Sequence, residues 1–214
     1  MQFLVTAGPT REYIDPIRYI SNKSSGKMGI AIANVLYQRG HKVFLILGPT
    51  HLKPMTGVEV YEIETAEEML MNCLNLMDQV DVCIMSAAVC DFKPKNMAKH
   101  KIKKQDLGPE MSLEITTDIL TQMVKRRIEV KPIIIGFAAE DQEVIQNAKK
   151  KLLEKNLDAI LVNDIGNAEI GMDKDYNEIT VLWRNNQEDF IRKGKKEQVA
   201  EQIVNILEKR LGIH

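Results

Sequence analysis

The sequence predicts an α/β protein: a doubly wound, Rossmann-like, mostly parallel sheet with helices on both faces and a C-terminal antiparallel addition. Three observations predict it. Short apolar runs recur along the chain without polar alternation, as strands buried on both faces require. Between them lie segments whose apolar residues return at helical spacing. From Glu178 onward that rhythm breaks into two strand-like runs around Asn185-Asn186 and a last amphipathic stretch.

The elements follow in order. Residues 2–7, Gln2-Phe-Leu-Val-Thr-Ala7, are apolar and stop at Gly8-Pro9, which suits a central strand. Met28, Ile32, Val35 and Leu36 then recur at helical spacing, with Ser24 or Ser25 as the expected cap and Gly40 as the stop. Residues 42–47 and 58–63 read as strands, and a helix starts from Thr65, which forms a capping box with Glu68. Residues 81–86 are a strand, 117–128 a helix, 132–136 a strand, 142–155 a helix and 158–162 a strand. Residues 178–183 and 188–191 make a hairpin, and 195–211 the closing helix. No repeat or low-complexity linker divides the chain, so residues 1–214 are expected to form a single domain.

Composition narrows the classes of function. A chain of 214 residues that is 44% hydrophobic can bury a full core, and a net charge of -1 gives no electrostatic reason to expect nucleic acid. No apolar run has membrane-spanning length and no signal peptide precedes the first strand, so the expectation is a cytoplasmic protein without a membrane partner. Cys73, Cys83 and Cys90 lack CxxC spacing and the histidines are scattered, which suggests free buried thiols and neither disulfides nor a zinc site.

In an open parallel sheet, ligands bind beyond the carboxyl ends of the strands. Residues 8–22, 86–91, 137–140 and Asn163-Asp164 all fall there. The loop from Gly8 to Gly29 is rich in hydroxyls and leads into a helix N-terminus, where unpaired N–H groups favour an anion. It is not a Walker loop, because Ser21 and Met28 stand where that motif needs glycine and a hydroxyl. Nor is it the dinucleotide fingerprint, since Thr10 replaces the second glycine. The alternative is an ordinary turn whose Gly26 and Gly29 serve helix packing. Residues 91–111 form a long polar stretch with Lys93, Lys95, Lys99, Lys101, Lys103 and Lys104, either a solvated charge run or a mobile lid that brings ammonium groups to a triphosphate.

Taken together, Ala7-Gly-Pro-Thr-Arg-Glu12, Asp15-Pro-Ile-Arg-Tyr-Ile-Ser-Asn22, Ser24-Ser-Gly-Lys-Met-Gly29, Ser86-Ala-Ala-Val-Cys-Asp91, Lys101-Ile-Lys-Lys104, Gly136-Phe-Ala-Ala-Glu140 and Lys155-Asn-Leu-Asp158 resemble the phosphopantothenoylcysteine synthetase family. The resemblance implies coenzyme A biosynthesis. In that family 4′-phosphopantothenate and L-cysteine are ligated through an acyl-cytidylate formed from CTP, with release of pyrophosphate and CMP.

It also implies roles for particular residues. Asn22 matches the asparagine that contacts the acyl-nucleotide, Arg18 an arginine of the second half-reaction, and Lys101 the lysine that forms the intermediate. Asp91, with Met85, Ser86 and Ala87, matches the nucleotide-contacting strand end. Thr117, Asp118, Ile119 and Leu120 match a second helix start, although relatives often carry Asn-Pro where this chain has Thr116-Thr117. Phe137 matches the aromatic of the pocket, with a core role as the alternative, and Lys151 and Lys155 match further nucleotide contacts. Cys90 stands where many relatives carry alanine and is read as packing.

Magnesium is expected with CTP, held by phosphates and water with no dedicated protein metal site. The family implies a homodimer with Asn22 facing the partner's nucleotide. Because Met1 directly precedes the first strand, the expectation is a stand-alone synthetase that binds no FMN and relies on a separate decarboxylase. Two rivals remain: a non-catalytic nucleotide-sensing module, and a nicotinamide dehydrogenase, disfavoured by the missing fingerprint and by Gly48-Pro49 at the end of the second strand.

Overall fold

A computed structural model describes residues 1–106, 108, 110–164, 166 and 174–212. The first strand, β1, is Gln2–Ala7, as expected. A short hairpin follows, β2 (Arg11–Asp15) and β3 (Arg18–Ser21), and then helix α1 (Lys27–Gln38). Strands β4 (Lys42–Leu47) and β5 (Glu59–Glu62) lead to α2 (Ala66–Leu76) and β6 (Val82–Met85). A second small pair, β7 (Phe92–Pro94) and β8 (Leu113–Ile115), precedes α3 (Ile119–Arg126). The chain continues through β9 (Ile133–Glu140), α4 (Val144–Glu154) and β10 (Ala159–Asp164). It closes with β11 (Tyr176–Trp183), β12 (Glu188–Lys195) and α5 (Lys196–Leu211).

Eight strands form one sheet in the order β12-β11-β10-β9-β6-β1-β4-β5. From β10 to β5 every neighbour is parallel, whereas β11 and β12 pair antiparallel. Successive side chains of a strand point to opposite faces, and both faces are apolar here. Phe3, Val5 and Ala7 pack with α1 and α5 on one side; Leu4, Phe44 and Ile46 pack with α2, α3 and α4 on the other. The doubly wound reading with its antiparallel addition therefore holds.

The local signals held where hydrogen bonds enforce them. Thr65 caps α2 in a capping box with Glu68, and α1 ends in a Schellman arrangement at Gly40, with Gly40 N bonded to Tyr37 O and His41 N to Leu36 O. Other expectations need correction. Neither Ser24 nor Ser25 caps α1. Its N-cap is Gly26 at φ 76°, a left-handed conformation in which a side chain is costly, and no side-chain cap bond forms. Helix α3 begins at Ile119, capped by Asp118, whose Oδ1 accepts from Thr121 N at 2.9 Å. The segment 8–22 contains the β2–β3 hairpin, and the polar stretch 91–111 opens with β7, which pairs to β8. These strands are short and lie outside the main sheet, so they carry no hydrophobic period to read. Residues 107 and 109 of that stretch lie outside the described residues.

Gly29 shows why this helix can reach the strand ends. A Cβ there would sit 2.5 Å from Ser86 Oγ and 2.6 Å from the Ala7 Cβ. Gly29 is thus a packing position, whereas Gly26 supplies the left-handed turn into the helix. Gly29→Ala should destabilise the protein by about 1–3 kcal/mol through overpacking, read as a lower urea midpoint at unchanged slope.

Candidate functional site at the carboxyl ends of the strands

The floor of the site is made where the chain leaves β1 and β6. Past their last residues the two segments stay joined: Ala88 N donates to Gly8 O at 2.9 Å and Thr10 N to Ala88 O at 3.3 Å. Side chains reinforce the join. Ser86 Oγ donates to Thr6 O at 2.5 Å, Ala87 N to Thr6 Oγ1 at 3.2 Å, and Cys90 N to Thr10 Oγ1 at 3.0 Å. Thr6 and Thr10 are buried, and these bonds satisfy groups that burial would otherwise penalise.

Two chambers open above this floor. The first, about 330 Å³, runs from Asn22 and the start of α1 past Ser86 and Phe137 to Asn163, Asn177 and Lys196. The second, about 240 Å³, lies between Met85, Thr117–Leu120, Lys151 and Lys155. Ala87, Val89, Asp91, Phe137 and Lys151 line both, so they form a shared wall. A larger concavity of about 840 Å³ beside β4 and β5 contains none of the candidate residues. Volume alone does not make a site, and the strand-end chambers are where convergent polar groups lie.

The second chamber carries two lysines, Lys151 and Lys155, and two aspartates, Asp91 and Asp118. Lys151 Nζ donates to Phe137 O at 3.4 Å, and burial, with Lys155 close by, pulls its pKa below the ordinary lysine value. Lys155 is ion-paired with Asp118. Burial pushes the Asp118 carboxyl up, but the bonds from Lys155 and Thr121 N outweigh it and the net direction is down. The α3 N-terminus is therefore not a bare anion site: Asp118 already occupies part of it, and an incoming anion must draw Lys155 away.

In the first chamber Asn22 Nδ2 donates to Ala88 O at 3.2 Å and Val89 O at 2.8 Å, so this asparagine lies on its own chain's crevice wall. Its amide oxygen has no partner among the described residues. Deeper in, the Oδ1 atoms of Asn163 and Asn177 are buried without a hydrogen bond from the described residues. Asn163 stood among the strand-end positions in the sequence. Asn177 and Lys196 did not, because they come from the antiparallel tail, where no strand-end rule applies.

Arg18 and Lys101 line neither chamber. Arg18 is bonded to Asp15 at 2.5 Å and to Ile102 O at 2.9 Å, and Lys101 is exposed beside that contact. Of the residues with expected roles, Asn22, Ser86 and Ala87 line the first chamber. Met85, Ala87, Thr117, Asp118, Ile119, Leu120 and Lys155 line the second. The three cysteines are free and buried, and burial pushes Cys73 up to about 12, which keeps it a neutral thiol. Among the described residues no helix is long and apolar enough to cross a membrane.

Fold and chambers together define a Rossmann-like α/β domain with a polar ligand crevice at its strand ends. Over residues 1–211 the chain matches the family described as DNA/pantothenate metabolism flavoprotein C-terminal domain, and it belongs to that family. It is 43% identical over 182 residues to the coenzyme A biosynthesis bifunctional protein CoaBC of Bacillus subtilis (strain 168), covering 85% of this chain and 44% of that protein. A crystal structure of the C-terminal domain of a CoaBC protein superposes with a TM-score of 0.83 at 37% identity, covering 100% of this chain and 96% of that one. The DNA/pantothenate metabolism flavoprotein from Streptococcus pneumoniae superposes at 0.82 with 25% identity, over 98% and 99% of the two chains. The chain spans about half the length of the curated relatives it matches. Those relatives are bifunctional single proteins, so the expectation of a separate decarboxylase finds no support in them.

The Lys155–Asp118 pair has a pH signature. A lowered carboxylate pKa stabilises the fold above the ordinary value of 3.8, and that contribution is lost as pH falls through the lower folded value. Lys155→Met should therefore lower the melting temperature at neutral pH, with the gap to wild type closing as pH drops below that range. A gap that is constant with pH would refute the assignment.

Proposed function

We propose that residues 1–214 form one phosphopantothenoylcysteine synthetase domain that ligates 4′-phosphopantothenate to L-cysteine with CTP. One observation carries the reading. Residues that the resemblance assigns to the nucleotide and to the acyl intermediate, scattered from Asn22 to Lys155 in sequence, meet at two chambers with a common wall, Lys101 apart. The adjoining chambers suit a reaction in two halves. In the first, a carboxylate oxygen of phosphopantothenate attacks the α-phosphorus of CTP, the bond to the β-phosphate breaks, and pyrophosphate leaves. In the second, the cysteine amine attacks the acyl carbon, gives up a proton, and CMP leaves. A carboxylate resists amines at neutral pH; the mixed anhydride supplies the missing leaving group.

Within this reading Lys151, Lys155 and the α3 N-terminus hold the triphosphate, Phe137 packs on the nucleotide, and Asp91 orients it. Asn22 offers its free amide oxygen to the acyl-nucleotide. Lys101 supplies a positive charge to the α-phosphate during attack, and Arg18 serves the second half-reaction. Among the described residues no group of three or more His, Cys, Asp or Glu side chains is placed to hold a metal. Magnesium would be held by the triphosphate and water, and when bound it would offset phosphate charge. A cytoplasmic homodimer is part of the proposal.

The test is pyrophosphate release from 4′-phosphopantothenate with CTP or ATP, with and without L-cysteine, and mass spectrometry of the products. CTP-dependent pyrophosphate with a cysteine adduct and CMP is expected. Nucleotide binding without pyrophosphate or CMP would favour the nucleotide-sensing alternative. Lys101→Gln should slow pyrophosphate release by about a hundredfold or more, the scale of one lost charge-stabilising group. Asn22→Asp should still release pyrophosphate but pass the intermediate poorly to cysteine; normal turnover by that variant would overturn its role.

A further inference from the structure

Asp15 is fully buried, yet it carries a charge, and its bonds do not stay within its own hairpin. Oδ1 accepts from Ile17 N at 3.0 Å and Arg18 N at 2.9 Å, which closes the β2–β3 turn. Oδ2 accepts from Arg18 Nε at 3.0 Å, from Arg18 Nη2 at 2.5 Å, and from Ile102 N at 3.1 Å. Arg18 Nη2 also donates to Ile102 O at 2.9 Å, so the peptide groups on both sides of Ile102 are gripped by one ion pair. Nearby, Ala98 N donates to Ile14 O at 2.9 Å. These bonds cross from the first strands to a segment that has no regular secondary structure until Lys104 and that exposes Lys101 and Lys103.

We propose that Asp15 is a positioning residue: through Arg18 and the backbone of Ile102 it fixes where Lys101 and Lys103 stand relative to the crevice. The physical case rests on satisfaction. A buried carboxylate is tolerated only when paired and fully hydrogen-bonded, and here part of that satisfaction comes from the lysine segment itself. If the segment lifts away, the carboxylate loses the Ile102 N–H and Arg18 loses a carbonyl acceptor, so each departure leaves polar groups unpaired. The ion pair holds the carboxyl well below the usual carboxylate range, which keeps the clamp charged at neutral pH. A solvated charge run needs no such anchor. The catalytic half of the proposal rests on the synthetase reading; the clamp itself does not.

The experiment compares Asp15→Asn, Ile102→Pro and wild type in limited trypsinolysis, read at Lys103 and Lys104, and in pyrophosphate release per bound CTP. Asn keeps the shape but loses the charge, and Pro removes the Ile102 N–H without touching the hairpin. Both variants should be cut at least about tenfold faster, as expected when local opening is eased, while CTP affinity is retained. Pyrophosphate release per bound CTP should fall by about tenfold or more through misplacement of Lys101. In the Lys101→Gln background the Asp15→Asn change should add little, because coupled residues are not additive. Unchanged cleavage in both folded variants would overturn the clamp. A full multiplicative loss in the double variant would overturn the route through Lys101 and leave a purely structural role. If wild type releases no pyrophosphate, the synthetase reading fails and cleavage alone decides the clamp; if Asp15→Asn does not fold, Ile102→Pro carries both measurements.

Discussion

The structure depends on the join between the chain leaving β1 and the chain leaving β6. Where a parallel strand ends, the backbone that follows loses its ladder partners, and a crevice there exposes it. Here the two exits run on side by side, with Thr6 and Thr10 hydroxyls accepting the Ala87 and Cys90 N–H groups. The floor is therefore rigid and nearly satisfied before any guest arrives. Glu12, buried just beyond, accepts from Ala66 N at 2.9 Å and so ties the same exit to the start of α2. One short polar segment thus anchors helices on both faces: α1 through the close approach of Gly29, and α2 through Glu12.

From that floor the electrostatics of the crevice follow. The wall shared by the chambers carries Asp91 and the partly desolvated Lys151, opposite charges at the place where a guest would pass from one chamber to the other. Lys155 is held by Asp118, so the positive charge is stored in an ion pair instead of facing water alone. An anion that enters trades one pairing for another and avoids the full cost of desolvating a lone ammonium. The first chamber differs in kind. Its lining joins the start of α1 and Lys196 to Asn163 and Asn177 from the strands.

Much of this was legible in the sequence, for reasons that can be named. Strands buried on both faces announce themselves as apolar runs, which is why residues 2–7 and 42–47 were read to the residue. The Thr65 capping box and the Gly40 stop are local chemistry and needed no tertiary context. The cap of α1 is not legible in the sequence, because Gly26 acts through its backbone conformation and no side chain. The β2–β3 and β7–β8 pairs were invisible, since strands this short beside the main sheet show no period. For the candidate site, strand-end reasoning located Asn22, Asp91, Phe137 and Asn163. It had no means of finding Asn177 and Lys196, which reach the chamber only because the C-terminal hairpin adds to the sheet next to β10.

Strand β11 pairs antiparallel to β10, so its N-terminal end, not its C-terminal end, lies at the crevice side of the sheet, and Asn163 stands opposite Ile179 in the register. The return strand β12 then brings the start of α5 to the same end, with Lys196 N donating to Asp175 O at 3.0 Å. Asp175 in turn pairs with Lys27 at 2.5 Å, across to the first turn of α1. Reversing the strand direction at the edge therefore closes the first chamber with side chains that a further parallel strand would have placed at the opposite end. The tail is part of the crevice wall, and its antiparallel sense is what makes it so.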